Sequence, residues 1–562
     1  MSRFRPPTPR LWVALSAGVL WALAFPLFNL SLAAWLAPGL LLLTGFGVDY
    51  RAALRLGYFA GVAHHLIGLY WLLYIPIAVG NVLAWLALSA YCALFPALWL
   101  WLCARARPTS SKPVPKPADR REAPLPFGNG PIKFRGATWE ALRELLEAGW
   151  LRRQAWLLYA AAAWTGLEFL RGWFLSGFPW NFLAASQSKL VPLLQVASVT
   201  GVHGVTFLIV WVSLALAVAA VAVIIRPHHR FAWKNELAPA LIALLLIITW
   251  GVSRTTAPPV NTDRSLRVAL VQPSIPQTLI FDPAESTNRF NQLLELSRAA
   301  LATKPDLLLW PEASLPLVDR AAFEQLRALL RASGTPIIFG SDDAQRIPDR
   351  DPERYRYYNA AFHFDGAGEF QAVYRKQRLV IFGEYTPGAR WFPFLARWLP
   401  AGEGFANGDG PVPFRLAPSA ANVAVNICFE DNFGDLVRAQ VEPDTDFVLN
   451  LTNNGWFGES AAQWQHAANA IFRAIENAVP LVRCTNNGLT CWIDEFGRLR
   501  EVFADEQGSV YGSGVTVFRI PLLSTGTLRS PTIYHRFGDW FGWFCLLTTG
   551  LPCLRWIRRK SR

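Results

Sequence analysis

The chain has 562 residues, of which 52% are hydrophobic and 25 are Trp, and this composition excludes an ordinary soluble protein. The formal net charge of +13 does not predict nucleic-acid binding, because Lys and Arg cluster at the ends of apolar runs and not along one soluble face. Long uncharged runs fill much of residues 11–252, residues 262–530 have the composition of a globular domain, and one more apolar run follows. We therefore predict a polytopic membrane protein with a large globular segment before its last span.

A helix needs about 20 apolar residues to cross the hydrocarbon core of a bilayer. The first run could instead be a cleaved signal peptide, but Pro26 and bulky Leu and Phe stand where a cleavage site would have small residues. Eight crossings would place both termini on one side of the membrane. The eight predicted spans lie near 11–28, 31–48, 54–75, 79–103, 155–174, 205–225, 236–252 and 537–554.

Basic residues alternate between successive ends of these spans. Lys and Arg precede span one, follow spans two and four, separate spans six and seven and close the chain, whereas the loops after spans one and three contain neither. The positive-inside rule then predicts cytoplasmic termini and a globular segment that faces the periplasm. The predicted organisation is a membrane domain at 1–253 with a cytoplasmic linker at 105–154, a periplasmic domain at 262–530, and a last span with a basic tail at 531–562.

Two charged residues lie inside predicted span five. Glu168 and Arg171 are three positions apart, so they share one helix face near its outer end. Charged side chains are costly inside a bilayer and are usually paired or functional. The sequence leaves open an ion pair between the two residues and a contact with a lipid headgroup.

Five apolar runs that end in polar residues predict buried strands in the globular segment. Helical patterns alternate with them, and a hairpin turns through residues 365–368, so the segment is predicted to be a layered α/β domain. The predicted strands are 265–275, 306–312, 335–343, 423–431 and 446–454, and the predicted helices are 285–303, 319–333 and 463–478.

Glu312, Lys376 and Cys428 stand at ends of predicted strands, where α/β proteins commonly place reacting groups. Taken alone, Cys428 is typical of a buried structural cysteine, and either charged residue is typical of a solvated strand end. Together the three supply a general base, a cation that can stabilise an oxyanion, and a nucleophile. This chemistry requires neither a metal nor a cofactor.

These residues also carry a family resemblance. WPE with Glu312, YRK with Lys376 and NICFED with Cys428 resemble the three signature segments of the nitrilase, or carbon–nitrogen hydrolase, superfamily. LTNNGWFG, QWQHAANAIFRAIENAVPLVRCTNNG and GFPWN narrow the likeness, which extends over essentially the whole chain, to the apolipoprotein N-acyltransferase family. The resemblance implies an αββα sandwich beside the membrane helices and a location in the bacterial inner membrane. It also implies acyl transfer from a phospholipid to the N-terminal diacylglyceryl-cysteine of apolipoproteins, the last step of lipoprotein maturation.

The resemblance assigns roles to individual residues. Glu312 is implied as the base, Lys376 as the oxyanion stabiliser and Cys428 as the nucleophile that forms a thioester in a ping-pong reaction. Trp456 matches a loop aromatic that either gates the lipid entrance or anchors the surface. Further supporting or substrate-binding positions are Glu384, Glu430 and Asn453, together with Phe281 and Phe429, which stand where the family pattern has Trp and Tyr.

Other functions and pairings remain open at this stage. A membrane-tethered amidase or nitrile hydrolase would share the Glu, Lys and Cys residues, whereas a catalytically silent scaffold would not need all three. Cys484 and Cys491 either form a disulfide or stay reduced. The sequence predicts a monomer whose partners are membrane lipids, the phospholipid donor and the apolipoprotein acceptor.

Overall fold

The computed structural model describes residues 8–77, 79–109, 136–226, 231, 233–256, 263–280, 282–315, 320–348, 355–388 and 404–560. A helical domain comes first and an α/β domain follows, as the sequence predicts. Most of the linker predicted at 105–154 lies outside the described residues, as does Phe281.

The helical domain contains a helix at each of the first seven predicted spans, and the last helix of the chain packs back against it. Short 3-10 helices at Ser31–Trp35 and Tyr70–Tyr74 extend two of these segments. The helices are α1 (Pro9–Leu23), α2 (Ala37–Thr44), α3 (Tyr50–Gly68), α4 (Gly80–Cys92), α5 (Leu94–Ala106), α6 (Ala137–Glu147), α7 (Trp150–Arg171), α8 (Val191–Leu194), α9 (Ala197–Thr200), α10 (Val202–Ile225) and α11 (Lys234–Thr256).

Three helical segments in the described part of the chain are long and apolar enough to cross a membrane: Gly80–Ala106, Val202–Ile225 and Lys234–Thr256. Shorter apolar helices occur at Pro9–Leu23, Ser31–Thr44, Val191–Thr200 and Trp540–Leu551. These helices indicate a membrane protein, and the number of spans stays a prediction. The sequence analysis did not predict the helical segment at 191–200.

Basic residues gather at one end of the helical domain around α6. Arg10 of α1 donates to Thr138, Arg107 after α5 lies 3.6 Å from Glu144, and Arg226 after α10 donates to the carbonyl of Leu146. The opposite helix ends contact the α/β domain. The charged end and the α/β domain therefore lie at opposite ends of the helices.

The α/β domain is a sandwich of two six-stranded sheets, with strand orders β12-β1-β2-β3-β4-β5 and β11-β10-β9-β8-β7-β6. β12 pairs antiparallel with β1 from Arg264↔Leu522 to Gln272↔Gly514. The strands are β1 (Arg264–Gln272), β2 (Leu307–Leu309), β3 (Ile337–Arg346), β4 (Tyr355–Phe364), β5 (Phe370–Arg375), β6 (Phe414–Leu416), β7 (Ala421–Ile427), β8 (Phe447–Thr452), β9 (Leu481–Thr485), β10 (Cys491–Ile493), β11 (Leu499–Val502) and β12 (Gly514–Leu522).

Helices cover both outer faces of the sandwich, which confirms the predicted fold class. Leucines of α13 and α14 pack on the first sheet, and α16 packs on the second sheet within an apolar cluster that continues into the helical domain. The helices of this part are α12 (Gln277–Ile280), α13 (Ser286–Ala302), α14 (Arg320–Ser333), α15 (Gly434–Gln440), α16 (Ala462–Asn477), α17 (Ile533–Phe537) and α18 (Trp540–Lys560).

Four predicted strands are too long: those at 265–275, 306–312, 423–431 and 446–454 extend past the ends of β1, β2, β7 and β8. β7 ends at Ile427, and Cys428–Asn432 forms a 3-10 helix where the sequence analysis extended the strand to residue 431. The backbone leaves the strand because Glu430 turns back and accepts a hydrogen bond from the N–H of Ile427 at 2.8 Å. This turn places Cys428 at the end of the sheet.

Candidate active site

Glu312 lies beyond the end of β2, on a segment that packs against β3. Gly340 permits this packing, because a Cβ there would lie 2.5 Å from the Cα of Glu312. The Glu312 side chain is buried. Its Oε1 accepts a hydrogen bond from Asn359 Nδ2 at 2.7 Å, and its Oε2 accepts one from the backbone N–H of Asn453 at 2.8 Å. The carboxylate therefore links β4 of the first sheet to the residue that follows β8 of the second sheet.

Lys376 follows β5 and is only 1% exposed. Its Nζ lies 2.8 Å from Glu384 Oε1 and 3.4 Å from Glu312 Oε1, and Asn359 Nδ2 also donates to Glu384 Oε1 at 2.7 Å. Burial lowers the pKa of Lys376, but the two carboxylates outweigh it and the pKa is raised. Lys376 is therefore a fixed cation, as oxyanion stabilisation requires.

Cys428 begins the 3-10 helix after β7 with a φ of +52°. Non-glycine residues seldom adopt this conformation, and it occurs preferentially at functional sites. Asn450 Nδ2 holds the turn by donating to the Cys428 carbonyl at 2.9 Å. Burial raises the pKa of the thiol to about 12, with Glu312 adding to the increase and Lys376 opposing it. The thiol is therefore protonated at neutral pH and needs a base before it can act as a nucleophile.

The 3-10 turn Cys428–Asn432, called the nucleophile turn below, carries the candidate nucleophile. Glu430 of this turn is completely buried and binds the segment after β5. Its Oε1 accepts from the N–H groups of Gln377 and Arg378 at 2.7 and 3.0 Å. Its Oε2 accepts from the Tyr374 hydroxyl at 2.9 Å, in addition to the N–H of Ile427. Burial raises the pKa of Glu430 to about 7, against the opposing charge of Lys376. Glu430 therefore positions the backbone beside Cys428 and Lys376.

Asn453 connects Glu312 to the loop after β8. Besides its backbone contact with Glu312, its Nδ2 donates to Gln277 Oε1 at 2.8 Å and its Oδ1 accepts from Asn486 Nδ2 at 2.9 Å. The loop continues as the 3-10 helix Asn454–Phe457, which contains the half-buried Trp456. Asn453 therefore lies next to Glu312, and Trp456 lies on the following segment, which is in contact with the helical domain.

Phe429, the neighbour of the candidate nucleophile, lies against aromatic side chains of the helical domain. Its ring centroid is 6.4 Å from Phe178 and 6.2 Å from Trp180. Trp71 is 5.1 Å from Trp180 and 4.6 Å from Phe457. The helical domain thus presents an aromatic surface, formed by Trp71, Phe178 and Trp180, and Phe429 and Phe457 of the α/β domain lie against it.

Comparisons with known proteins match both parts of the chain. Residues 267–518 match the carbon–nitrogen hydrolase model, and residues 17–127 and 130–215 match the model of the apolipoprotein N-acyltransferase N-terminal domain. An apolipoprotein N-acyltransferase of Geobacter metallireducens is 31% identical over 98% of this chain and 95% of its own length. That of Bradyrhizobium diazoefficiens is 32% identical over 94% and 92%. The chain belongs to the apolipoprotein N-acyltransferase family.

The members of this family are acyltransferases. A further relative, the apolipoprotein N-acyltransferase of Vibrio vulnificus, is 29% identical over 98% of this chain and 97% of its own length. Among solved structures, an amidase from Nesterenkonia sp. is similar with a TM-score of 0.34 and 19% identity, over 46% of this chain and 90% of that one.

In this family member, two residues of α16 that the sequence analysis did not single out connect the two domains. Gln465 Oε1 accepts from the indole N–H groups of Trp71 and Trp180, at 3.1 and 2.8 Å, and its Nε2 donates to backbone carbonyls of the helical domain. The adjacent His466 lies 2.7 Å from Asp431 Oδ1 and 3.1 Å from Asn454 Oδ1. Neighbouring side chains of one helix therefore hold the aromatic surface and the nucleophile turn.

Glu168 and Arg171 have separate partners in the structure. Glu168 accepts from the N–H of Leu183 and from the Thr206 hydroxyl, both at 3.0 Å. Arg171 donates to the carbonyl of Trp180 at 2.9 Å. These contacts fix the segment after α7 that carries part of the aromatic surface.

Cys484 and Cys491 are both buried and reduced. Cys484 packs in the core between the sheets, whereas Cys491 packs with Leu489 in a separate apolar cluster. Cys491 has Arg483 and not Cys484 as its partner on β9. The structure therefore decides against the disulfide that the sequence left open.

Proposed function

We propose that this chain transfers a fatty-acyl group from a membrane phospholipid to the α-amine of the N-terminal diacylglyceryl-cysteine of apolipoproteins, through a thioester on Cys428. The observation that carries the proposal is the buried network of Glu312, Lys376 and Glu384 next to a nucleophile turn that lies against an aromatic surface of the helical domain. A small-molecule amidase would not need a membrane domain at this position.

In the first half-reaction, Glu312 takes the proton of the Cys428 thiol, and the thiolate attacks the ester carbonyl of the phospholipid. The Lys376 ammonium stabilises the oxyanion that develops. When the ester C–O bond breaks, the departing lysophospholipid oxygen takes the proton from Glu312. The products are lysophospholipid and an acyl thioester on Cys428.

In the second half-reaction, the free amine of the acceptor attacks the thioester carbonyl, and Glu312 takes a proton from the attacking nitrogen. Lys376 again stabilises the oxyanion, the C–S bond breaks, and Glu312 returns a proton to Cys428. Because the two substrates react in turn with the same cysteine, the kinetics are ping-pong.

We also propose how the chain is arranged across the membrane. Residues 1–253 form the membrane domain, residues 262–530 the periplasmic catalytic domain, and residues 531–562 the last span with its basic tail, in an inner-membrane monomer with cytoplasmic termini. The separation of the basic helix ends from the α/β domain supports this orientation. Labelling of single introduced cysteines at residue 109 and residue 526 from either side of sealed vesicles tests it, and labelling of both from the same side would contradict it.

Intact mass analysis tests the function. Purified protein is incubated with phospholipid alone, and wild type is compared with Cys428→Ala and with Cys484→Ala, which removes another buried thiol of the same domain. We expect an acyl-sized mass gain on wild type and on Cys484→Ala but not on Cys428→Ala, with discharge by a diacylglyceryl-cysteine peptide. A mass gain that persists in Cys428→Ala, or no gain on folded wild type, would contradict the proposal.

A further inference from the structure

Three side chains form a row across neighbouring strands of the first sheet. Asp342 of β3 is the direct antiparallel partner of Asn359 of β4, and the backbone N–H of Lys376 donates to the carbonyl of Asn359 at 2.8 Å. Directly opposed residues of antiparallel strands project to the same face. Since Asn359 binds Glu312 and Glu384 on that face, Asp342 projects toward the same two carboxylates.

The surroundings of Gly340 also place Glu312 and Asp342 on the same face of the first sheet. Gly340 and Asp342 are two positions apart on β3, so they share a face. The Cα of Glu312 lies where a Gly340 side chain would begin, and Ser314 N–H donates to the Gly340 carbonyl at 2.8 Å. The Glu312 segment therefore runs along β3 on the face to which Asp342 belongs.

Asp342 differs from its acidic neighbours because it has no hydrogen-bond or ion-pair partner among the residues that the structure describes. Glu312 and Glu384 accept hydrogen bonds from Asn359 and Lys376, and Asp343 on the other face pairs with Arg375 at 2.6 Å. Within the described residues, no hydrogen bond or ion pair engages the Asp342 carboxylate, which is half-buried. Of these four carboxylates, that of Asp342 is therefore the one that is available to bind a substrate.

The charges around Asp342 suit proton uptake near neutral pH. The groups on this face are the carboxylates of Glu312 and Glu384 and the ammonium of Lys376. Burial, together with repulsion from Glu312 and Glu384, raises the pKa of Asp342 to about 6. Asp342 is thus ionised at pH 7 and close to the range in which a general base works efficiently.

The second half-reaction releases two protons, and Glu312 can transfer only one of them to Cys428. An α-amine with a pKa of about 7.7–8.0 arrives mainly as ammonium at pH 7. Conversion of this ammonium into an amide N–H releases two protons, while the C–N bond forms and the C–S bond breaks. One proton returns to the sulfur of Cys428 through Glu312. The other needs a second acceptor.

We propose that Asp342 binds the acceptor ammonium and accepts the first of its two protons, before the free amine attacks the thioester. This inference rests on the proposed function. The thioester, the ammonium and the Asp342 carboxylate become the Cys428 thiol, the amide and a carboxylic acid, which then releases its proton to water. The first half-reaction liberates no such proton, so it does not use Asp342.

Intact mass analysis of Asp342→Asn tests this proposal, because it measures the two half-reactions separately. A phospholipid first loads Cys428, and a synthetic diacylglyceryl-cysteine peptide then discharges the acyl-enzyme at pH 7 and at pH 9. We expect loading within about twofold of wild type. Discharge should slow about tenfold at pH 7, where roughly a tenth of the amine is free, and recover at pH 9, where the amine is already neutral.

Two further variants make the result specific. Asp342→Glu should restore discharge at pH 7, whereas Asp343→Asn, which removes the adjacent charge from the opposite face, should leave the ratio of the rates at pH 7 and pH 9 unchanged. Equal slowing of Asp342→Asn at both pH values, or slowed loading, would overturn the inference. If wild type forms no acyl-enzyme, the proposed function itself fails. If wild type loads and discharges but Asp342→Asn matches it at both pH values, only the role of Asp342 fails.

Discussion

The indole Nε1 of Trp180 donates a hydrogen bond to the Oε1 of Gln465 at 2.8 Å. This contact joins the helical domain to α16, and the next residue of α16, His466, contacts Asp431 of the nucleophile turn. The packing of the helical domain against α16 and the position of the Cys428 turn are therefore connected through Gln465 and His466.

Replacement of Gln465 by Met should weaken both stability and catalysis. The variant keeps the volume but leaves two indole N–H groups and two carbonyls without partners, and each buried unsatisfied group costs about 1–3 kcal/mol. We expect the free energy of unfolding to fall by about 4 kcal/mol or more, since four groups lose their partners, and acyl-enzyme formation to slow. Thermal unfolding in detergent and the loading assay measure these effects. The matched control is Gln371→Met at an exposed position, and equal effects of the two variants would count against the interdomain role.

Glu312→Gln should separate thiol reactivity from catalysis. Burial and, after it, the Glu312 carboxylate raise the pKa of Cys428 to about 12, so removal of the carboxylate should lower that pKa and increase the thiolate fraction at pH 9. We expect faster alkylation of Cys428 by iodoacetamide at pH 9, followed by peptide mass analysis, together with a loss of acyl transfer of about a hundredfold or more.

Lys376→Met should act in the opposite direction on alkylation, because Lys376 lowers the pKa of the thiol. We expect slower alkylation than in wild type and an equally severe loss of acyl transfer. Slower alkylation in Glu312→Gln, or faster alkylation in Lys376→Met, would contradict the electrostatic assignment.

Glu430 should make the stability of the folded protein depend on pH. Its pKa is raised from 4.5 to about 7 by burial, so the native state keeps a proton that the unfolded state has lost between these values. Stability therefore falls as pH rises from about 4.5 to about 7. In Glu430→Gln this contribution disappears, and we expect a flatter plot of unfolding temperature against pH between 5 and 7. An unchanged slope would show that Glu430 does not titrate in this range.

Phe429→Ala should impair the use of phospholipid more than it impairs folding. The ring is half-buried and lies against Phe178 and Trp180, so truncation opens the aromatic surface beside Cys428. We expect KM for phospholipid to rise several-fold with a smaller change in kcat, whereas Phe429→Tyr keeps the ring and should stay within about threefold of wild type. Phe370→Ala, at an exposed strand position away from this surface, serves as the control.

The sequence predicted the parts of the centre that stand at strand ends. Glu312 and Cys428 were recognisable because they directly follow apolar runs, and Lys376 because it ends the predicted hairpin strand. Asn359 was not recognisable, because a polar residue within a hairpin strand is typical of a solvated face. The structure shows that it instead binds both Glu312 and Glu384.

α16 illustrates a second limit of sequence analysis. A helix with polar residues on one face usually exposes that face to solvent, and the pattern gives no sign that a membrane domain covers it. His466, Asn469, Arg473 and Glu476 recur at helical spacing and are all buried. The available signals of a covering surface lay elsewhere in the chain, in its apolar helices and in the GFPWN segment.

The pairing of β1 with β12 determines when the catalytic domain can be completed. These strands stand at the two ends of the domain in sequence but are neighbours along their whole length in the first sheet. Under the proposed topology, the entire segment between α11 and α18 must be translocated before the sheet can close. Pairing between such distant segments is slow, so a nascent chain exposes an open edge of β1 during secretion. Under this topology, the unpaired edge of β1 is open to chaperones and proteases until the last strand arrives.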